Sequence, residues 1–230
     1  MSRAAADTVV HEIISKPSLV LTLPTGDTPK KMYQLLAKEY RKKRVDFSQV
    51  TCFNLDEYYP IKKNNKNSYN YYMNKNFWSH INIKKSNINI LNGETKNTKK
   101  ECDSYERKIR KNTPDLAILG LGINGHVGFN EPGSTLNSKT RLVSLSRETR
   151  KRNSKFFGSY KKIPSSALTM GMSTILSSKK IILLASGKSK RQAVKQLVEG
   201  QIDSSCPASF LRNHKNLVII LDKSAASFLK

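Results

Sequence analysis

The 230-residue sequence predicts an α/β protein: a doubly wound, mostly parallel sheet flanked by helices in the Rossmann-like manner. Three observations carry this expectation. Five short runs, at 19–23, 50–55, 115–120, 180–185 and 217–221, are almost continuously apolar, as strands buried on both faces are. Between them lie stretches with helical spacing or capping residues, at 29–43, 68–79, 99–112, 165–177 and 189–199. Glycine, threonine, aspartate and histidine gather directly after three of the apolar runs, where sheets of this kind bind ligands.

The first run leads into Leu23-Pro24-Thr25-Gly26-Asp27-Thr28-Pro29, which reads as a turn opening onto a helix. Thr28 supplies a hydroxyl N-cap, and Pro29 suits the first helical position. Free backbone N–H groups and the positive end of the helix dipole would cradle a phosphate here. A capped strand-to-helix turn needs the same residues, so both readings stand. Asp27 would repel a phosphate if it faced one; it either turns outward or caps backbone amides. The second run ends in Phe53-Asn54-Leu55-Asp56-Glu57-Tyr58-Tyr59. Two adjacent carboxylates cannot both point into one crevice, so one serves and the other supports. A desolvated carboxylate there can act as a general base, and a turn or helix cap is the alternative.

The Lys/Asn-rich stretch 62–76 reads as a surface loop running into a helix. The third strand opens into Gly120-Leu121-Gly122-Ile123-Asn124-Gly125-His126-Val127-Gly128-Phe129-Asn130-Glu131-Pro132-Gly133, with five glycines in fourteen residues. Such a loop can pass close to a ligand. Its spacing imitates a dinucleotide fingerprint but lacks the helix that should open at the third glycine. His126 and Glu131 place a group that titrates near neutral pH beside a carboxylate that can set its tautomer.

Composition bounds the function. Lys and Arg number 41 against 17 Asp and Glu, for a net charge of +24. The excess is mainly lysine, 30 against 11 Arg, and its clusters are scattered over element ends and loops. Heavy Lys, Asn and Ile usage suggests a coding bias, which disfavours a nucleic-acid partner despite the charge. With 37% hydrophobic residues the chain can bury a core, and its length favours one domain over residues 1–230. No apolar run reaches the roughly 18 residues of a membrane span, and the N-terminus does not read as a signal peptide. Three widely spaced cysteines suit a reducing cytoplasm and argue against a disulfide or zinc framework.

The segments LPTGDTP, FNLDEY and GLGINGHVGFNEPG, in this order and spacing, resemble the glucosamine-6-phosphate deaminase (isomerase) family, short bacterial-type branch. The similarity continues through TRLVSLSRETRKRNSKFF, ALTMGMSTIL and LLASGKSK, over nearly the whole chain. The related 6-phosphogluconolactonases share a Gly-His pair but continue differently after it. The resemblance implies conversion of glucosamine 6-phosphate and water to fructose 6-phosphate and ammonia, in amino-sugar catabolism, with no cofactor and no metal. By similarity His126 opens the sugar ring with Asn124 and Glu131, and Asp56 moves the C2 proton. Thr25, Gly26, Thr28, Lys155 and Lys190 hold the phosphate. Many members carry Asp at the position of Asn124 and Arg at that of Lys155, and a lysine lacks the guanidinium fork. Met1 lies close to the first helix, so either the chain starts upstream or the sheet lacks the family's first edge strand. A monomer or small homo-oligomer is expected. A lactonase-type hydrolase and a basic nucleic-acid-binding or degenerate family member remain the alternatives.

Overall fold

The computed structural model describes residues Met1–Lys230, the side chain of Lys155 excepted. In chain order the elements are α1 (Ser2–Ser15), β1 (Val20–Leu23), α2 (Lys30–Arg41), β2 (Thr51–Asn54), β3 (Asp56–Tyr59) and α3 (Tyr69–Asn76). There follow β4 (Ile88–Asn89), α4 (Thr98–Lys111), β5 (Leu116–Gly120), β6 (Arg141–Ser144), α5 (Arg147–Phe157) and β7 (Ser166–Thr169). The chain closes with α6 (Met172–Leu176), β8 (Lys180–Ala185), α7 (Arg191–Glu199) and β9 (Leu217–Leu221).

Six strands form one parallel sheet in the order β4-β2-β1-β5-β8-β9. Its faces explain the unbroken apolar runs. Along β8, Ile182 and Leu184 pack with Leu21, Leu23 and Cys52 beneath α1 and α2, while Ile181 and Leu183 pack with Phe53 and Leu119 beneath α4 and α7. Alternate side chains therefore enter different cores, and both must be apolar. The sheet spreads in opposite directions from β1 and β5, which lie side by side. The loops leaving their carboxyl ends diverge and open a crevice, the usual ligand position in such sheets.

The doubly wound, mostly parallel architecture agrees with the sequence, and α1 is the first element. Three local features differ from expectation. The stretch 165–177 is not one helix: Ser166–Thr169 is strand β7 and only Met172–Leu176 is helical. Leu168 enters the core beneath α4 while Ala167 packs against Tyr58 and Phe157, so this segment needs the two-sided burial of a strand. At α2, Pro29 takes the N-cap position and no side chain caps the helix; Thr28 lies one residue outside it. The third feature is a small antiparallel sheet, β3-β7-β6, beside the main one. Its β3 follows β2 across the single residue Leu55, whose N–H still donates to Leu23 O at 3.2 Å.

One aromatic group connects core to crevice. Tyr33 of α2 stacks on Phe77 with ring centroids 4.8 Å apart, and Phe47 meets Phe77 edge-on at 5.6 Å. All three are fully buried. The Tyr33 hydroxyl donates to Pro24 O in the loop after β1. Phe77→Ala is expected to cost about 3–5 kcal/mol of stability by deleting a fully buried ring, measured by urea denaturation.

Candidate active site

The crevice is a cavity of about 550 Å³ lined from three directions: by the loop after β1, by Asp56 with the loop after β5, and by α5 together with Ser189 and Lys190. Of the residues singled out in the sequence, Thr25, Gly26, Thr28, Asp56, His126 and Lys190 line it. Asn124 and Glu131 do not; they stand behind His126. Lys155 belongs to α5, and its side chain lies outside the described residues.

The loop after β1 is built to present N–H groups. Tyr33 and Tyr72 hydroxyls bond the carbonyl oxygens of Pro24 and Gly26. Among the described residues the backbone N–H groups of Thr25, Gly26, Asp27 and Thr28 have no protein partner. Gly26 sits at φ 102°, a backbone conformation that a side chain would strain. Four unpaired donors before the N-terminus of α2 form an anion cradle. Asp27 does not oppose it, because its exposed carboxylate is held by Lys30 Nζ at 2.8 Å.

The adjacent carboxyls Asp56 and Glu57 separate as strand alternation requires. Glu57 caps the start of α3, accepting the N–H groups of Tyr58 at 2.9 Å, Tyr69 at 2.8 Å and Asn70 at 2.9 Å. Asp56 faces the cavity, and no protein donor among the described residues bonds its carboxyl. Burial, and secondly the charge of Glu57, push the Asp56 carboxyl up to about 8. A carboxyl poised near neutrality with free lone pairs is suited to exchange a proton with a ligand.

His126 is held by a linear network. Thr149 Oγ1 donates to Glu131 Oε1. Asn124 Nδ2 donates to Glu131 Oε2 at 2.8 Å, and Asn124 Oδ1 lies 2.6 Å from His126 Nδ1. Glu131 Oε2 is itself 3.5 Å from Nδ1. Burial would raise the Glu131 carboxyl, but His126, Thr149 and Asn124 outweigh it and bring it down to about 2. Glu131 is therefore ionised and can only accept. It fixes the Asn124 NH₂ toward itself, which turns Oδ1 to the imidazole and makes Nδ1 the protonated nitrogen. In the neutral ring this leaves the lone pair on Nε2.

Lys190 donates to Leu121 O at 2.7 Å. Burial, with the nearby charge of Arg152, lowers its ammonium to about 8. Sequence reasoning missed Thr149, Tyr72 and Arg152. The tyrosine and threonine roles need tertiary contacts, and no local motif marks them. Arg152 was lost among the general basic excess.

A doubly wound sheet with an anion cradle and a poised imidazole and carboxyl at its switch point defines an acid–base enzyme of sugar-phosphate type. The chain belongs to the glucosamine-6-phosphate isomerase/6-phosphogluconolactonase family, whose model matches residues 1–220. It is 48% identical over 231 residues to a glucosamine-6-phosphate deaminase of Clostridium botulinum, covering all of this chain and 95% of that protein. It is also 48% identical over 230 residues to a glucosamine-6-phosphate deaminase of Clostridium novyi, again covering all of this chain and 95% of the relative. A solved monomeric glucosamine-6-phosphate deaminase superposes with a TM-score of 0.96 at 42% identity, covering 99% of this chain and 95% of the other. The 6-phosphogluconolactonase of Thermotoga maritima shares the fold, with a TM-score of 0.72 at 24% identity, covering 94% of each chain.

The imidazole of His126 lies directly on Gly122. A Cβ there would come within 2.3 Å of Nδ1 and 2.4 Å of Cδ2 and Cε1. Gly122→Ala must therefore displace the ring. It is expected to leave the far-UV circular dichroism spectrum unchanged while lowering turnover about 10²-fold in steady-state assays.

Proposed function

We propose that this chain is a glucosamine-6-phosphate deaminase, converting glucosamine 6-phosphate and water to fructose 6-phosphate and ammonia. The observation that carries the reading is the pairing of an unbonded, buried Asp56 carboxyl with a tautomer-fixed His126 across one cavity. The deaminase relatives at 48% identity and full coverage of this chain support the substrate.

The loop Thr25–Thr28 and Lys190 hold the dianionic phosphate, far from the reacting carbons, and its binding energy positions C1 and C2. Lys155 belongs to the same set by family resemblance. His126 Nε2 takes the proton of the C1 hydroxyl as the pyranose ring opens, and the ring oxygen receives a proton in exchange. Asp56, in the ionised fraction that its raised pKa leaves near neutral pH, then removes the C2 proton. The C2–H electron pair forms the C1=C2 bond while the carbonyl electrons pass to O1, which takes a proton, giving an enolamine; the nitrogen lone pair then drives protonation at C1 to the ketimine. Water adds to C2, and the C–N bond breaks as the nitrogen leaves as ammonia. Glu131 and Asn124 do not touch the substrate in this scheme; they hold His126 in its accepting form.

The setting follows from the same reading. The relative described as monomeric supports a single-chain enzyme. A reducing cytoplasm is supported by Cys52, Cys102 and Cys206, which are buried free thiols. No helix among the described residues is long and apolar enough to cross a membrane.

Purified protein is expected to release ammonia from glucosamine 6-phosphate in a coupled assay, and Asp56→Asn to lose at least about 10² in rate. An inactive wild-type protein overturns the reading. The stability of the same variant reports on the carboxyl. Asp56 titrates near 3.8 when unfolded and about 8 when folded, so the native state holds its proton more tightly. Wild-type stability attributable to this group is full below the lower value and lost as pH rises through the upper. Asp56→Asn is therefore expected to melt higher than wild type at pH 9, with the gain shrinking toward pH 4.

A further inference from the structure

Among the described residues four basic side chains line the cavity: Lys30, Lys66, Arg152 and Lys190. Arg152, on the second turn of α5, lines the same cavity as Thr25, Gly26, Thr28 and Lys190. Among the described residues no carboxylate pairs with Arg152, whereas Asn153, its neighbour, donates to Tyr58 OH at 2.9 Å, and Lys190 is tied to Leu121 O. The acidic residue nearest in sequence to the cradle, Asp27, is already paired with Lys30. Lys190 in turn senses the charge of Arg152, which together with burial disfavours its protonated form. Like charges brought together beside an anion cradle repel one another until a dianion enters between them.

We propose that Arg152 is a phosphate-binding residue of this enzyme, joining Lys190 and the loop Thr25–Thr28 at the substrate's phosphate. The inference rests on the sugar-phosphate reading above and adds a residue to it. A guanidinium presents two parallel N–H donors to a phosphate edge, whereas a lysine gives a point charge. Arg152 stands three residues before Lys155 on α5, so it adds a fork to a helix segment that otherwise offers a lysine.

The test measures binding and turnover in the full chain, for wild type, Arg152→Ala, Arg152→Lys and Arg147→Ala. Arg147 lies on the same helix, is exposed and does not line the cavity, so it controls for net charge. The probes are inorganic phosphate and fructose 6-phosphate by calorimetry, and glucosamine 6-phosphate by kinetics. Loss of one charged, hydrogen-bonded contact is expected to weaken both probes about 10–100-fold in Arg152→Ala, with KM rising more than kcat falls. Arg152→Lys is expected to recover part of the loss, and Arg147→Ala to match wild type. Unchanged phosphate binding in Arg152→Ala overturns the proposal, as does an equal loss in Arg147→Ala. If wild type binds both probes but releases no ammonia, and Arg152→Ala still loses binding, the phosphate role stands while the deaminase reading falls.

Discussion

An ionised carboxylate can only accept hydrogen bonds, and the arrangement around His126 follows from that constraint. Glu131 is kept ionised by three partners despite its burial. Its acceptor-only character orients the Asn124 amide, and the amide oxygen then dictates which imidazole nitrogen carries the proton. An asparagine, which has no charge, is sufficient here because its task is to transmit direction. The network draws on distant parts of the chain. Thr149 comes from α5, and the loop that carries Asn124 and Glu131 is pinned by Asn130, whose Nδ2 donates to Val127 O at 2.9 Å and Met170 O at 2.8 Å. Sheet, loop and helix are all needed to hold one lone pair toward the cavity.

Asp56 illustrates the opposite use of burial. Glu57, one residue on, spends its carboxyl on three backbone N–H groups and so anchors α3, which carries the Tyr72 that holds the loop after β1. Asp56 has no such partners, and desolvation moves it toward neutrality. Strand geometry alone separates the two roles, since successive side chains point to opposite faces. The backbone-bonded carboxyl and the cavity-facing carboxyl are thus made by one dipeptide at the point where β3 leaves the main sheet.

Much of this was legible in the sequence because it depends on local chemistry. Strands buried on both faces must be apolar throughout, so β1, β2, β5, β8 and β9 could be placed within a residue or so. Glycine loops after strands located the crevice, and adjacency alone foretold that Asp56 and Glu57 would divide their tasks. What escaped depends on contacts distant in sequence. β7 exists as the partner of β3 and β6 as the partner of β7, and 165–177 carries spacing that suits a helix until Leu168 and Ala167 are required in different cores. Thr28 was a plausible cap, yet the chain begins α2 one residue later and leaves the threonine to the cavity. The charge of +24 hid Arg152, because one cavity-lining arginine among 41 basic residues has no compositional signature.

In the neutral ring the Glu131–Asn124 pair fixes His126 with its proton on Nδ1 and its lone pair on Nε2. Nitrogen-15 NMR of the labelled imidazole at neutral pH reads this directly, because protonated and bare ring nitrogens resonate in separate regions. The neutral ring of the free protein is expected to show a protonated Nδ1 and an unprotonated Nε2, a preference lost when Asn124→Leu removes the orienting amide. A spectrum with the proton on Nε2, or one unchanged by Asn124→Leu, would contradict it.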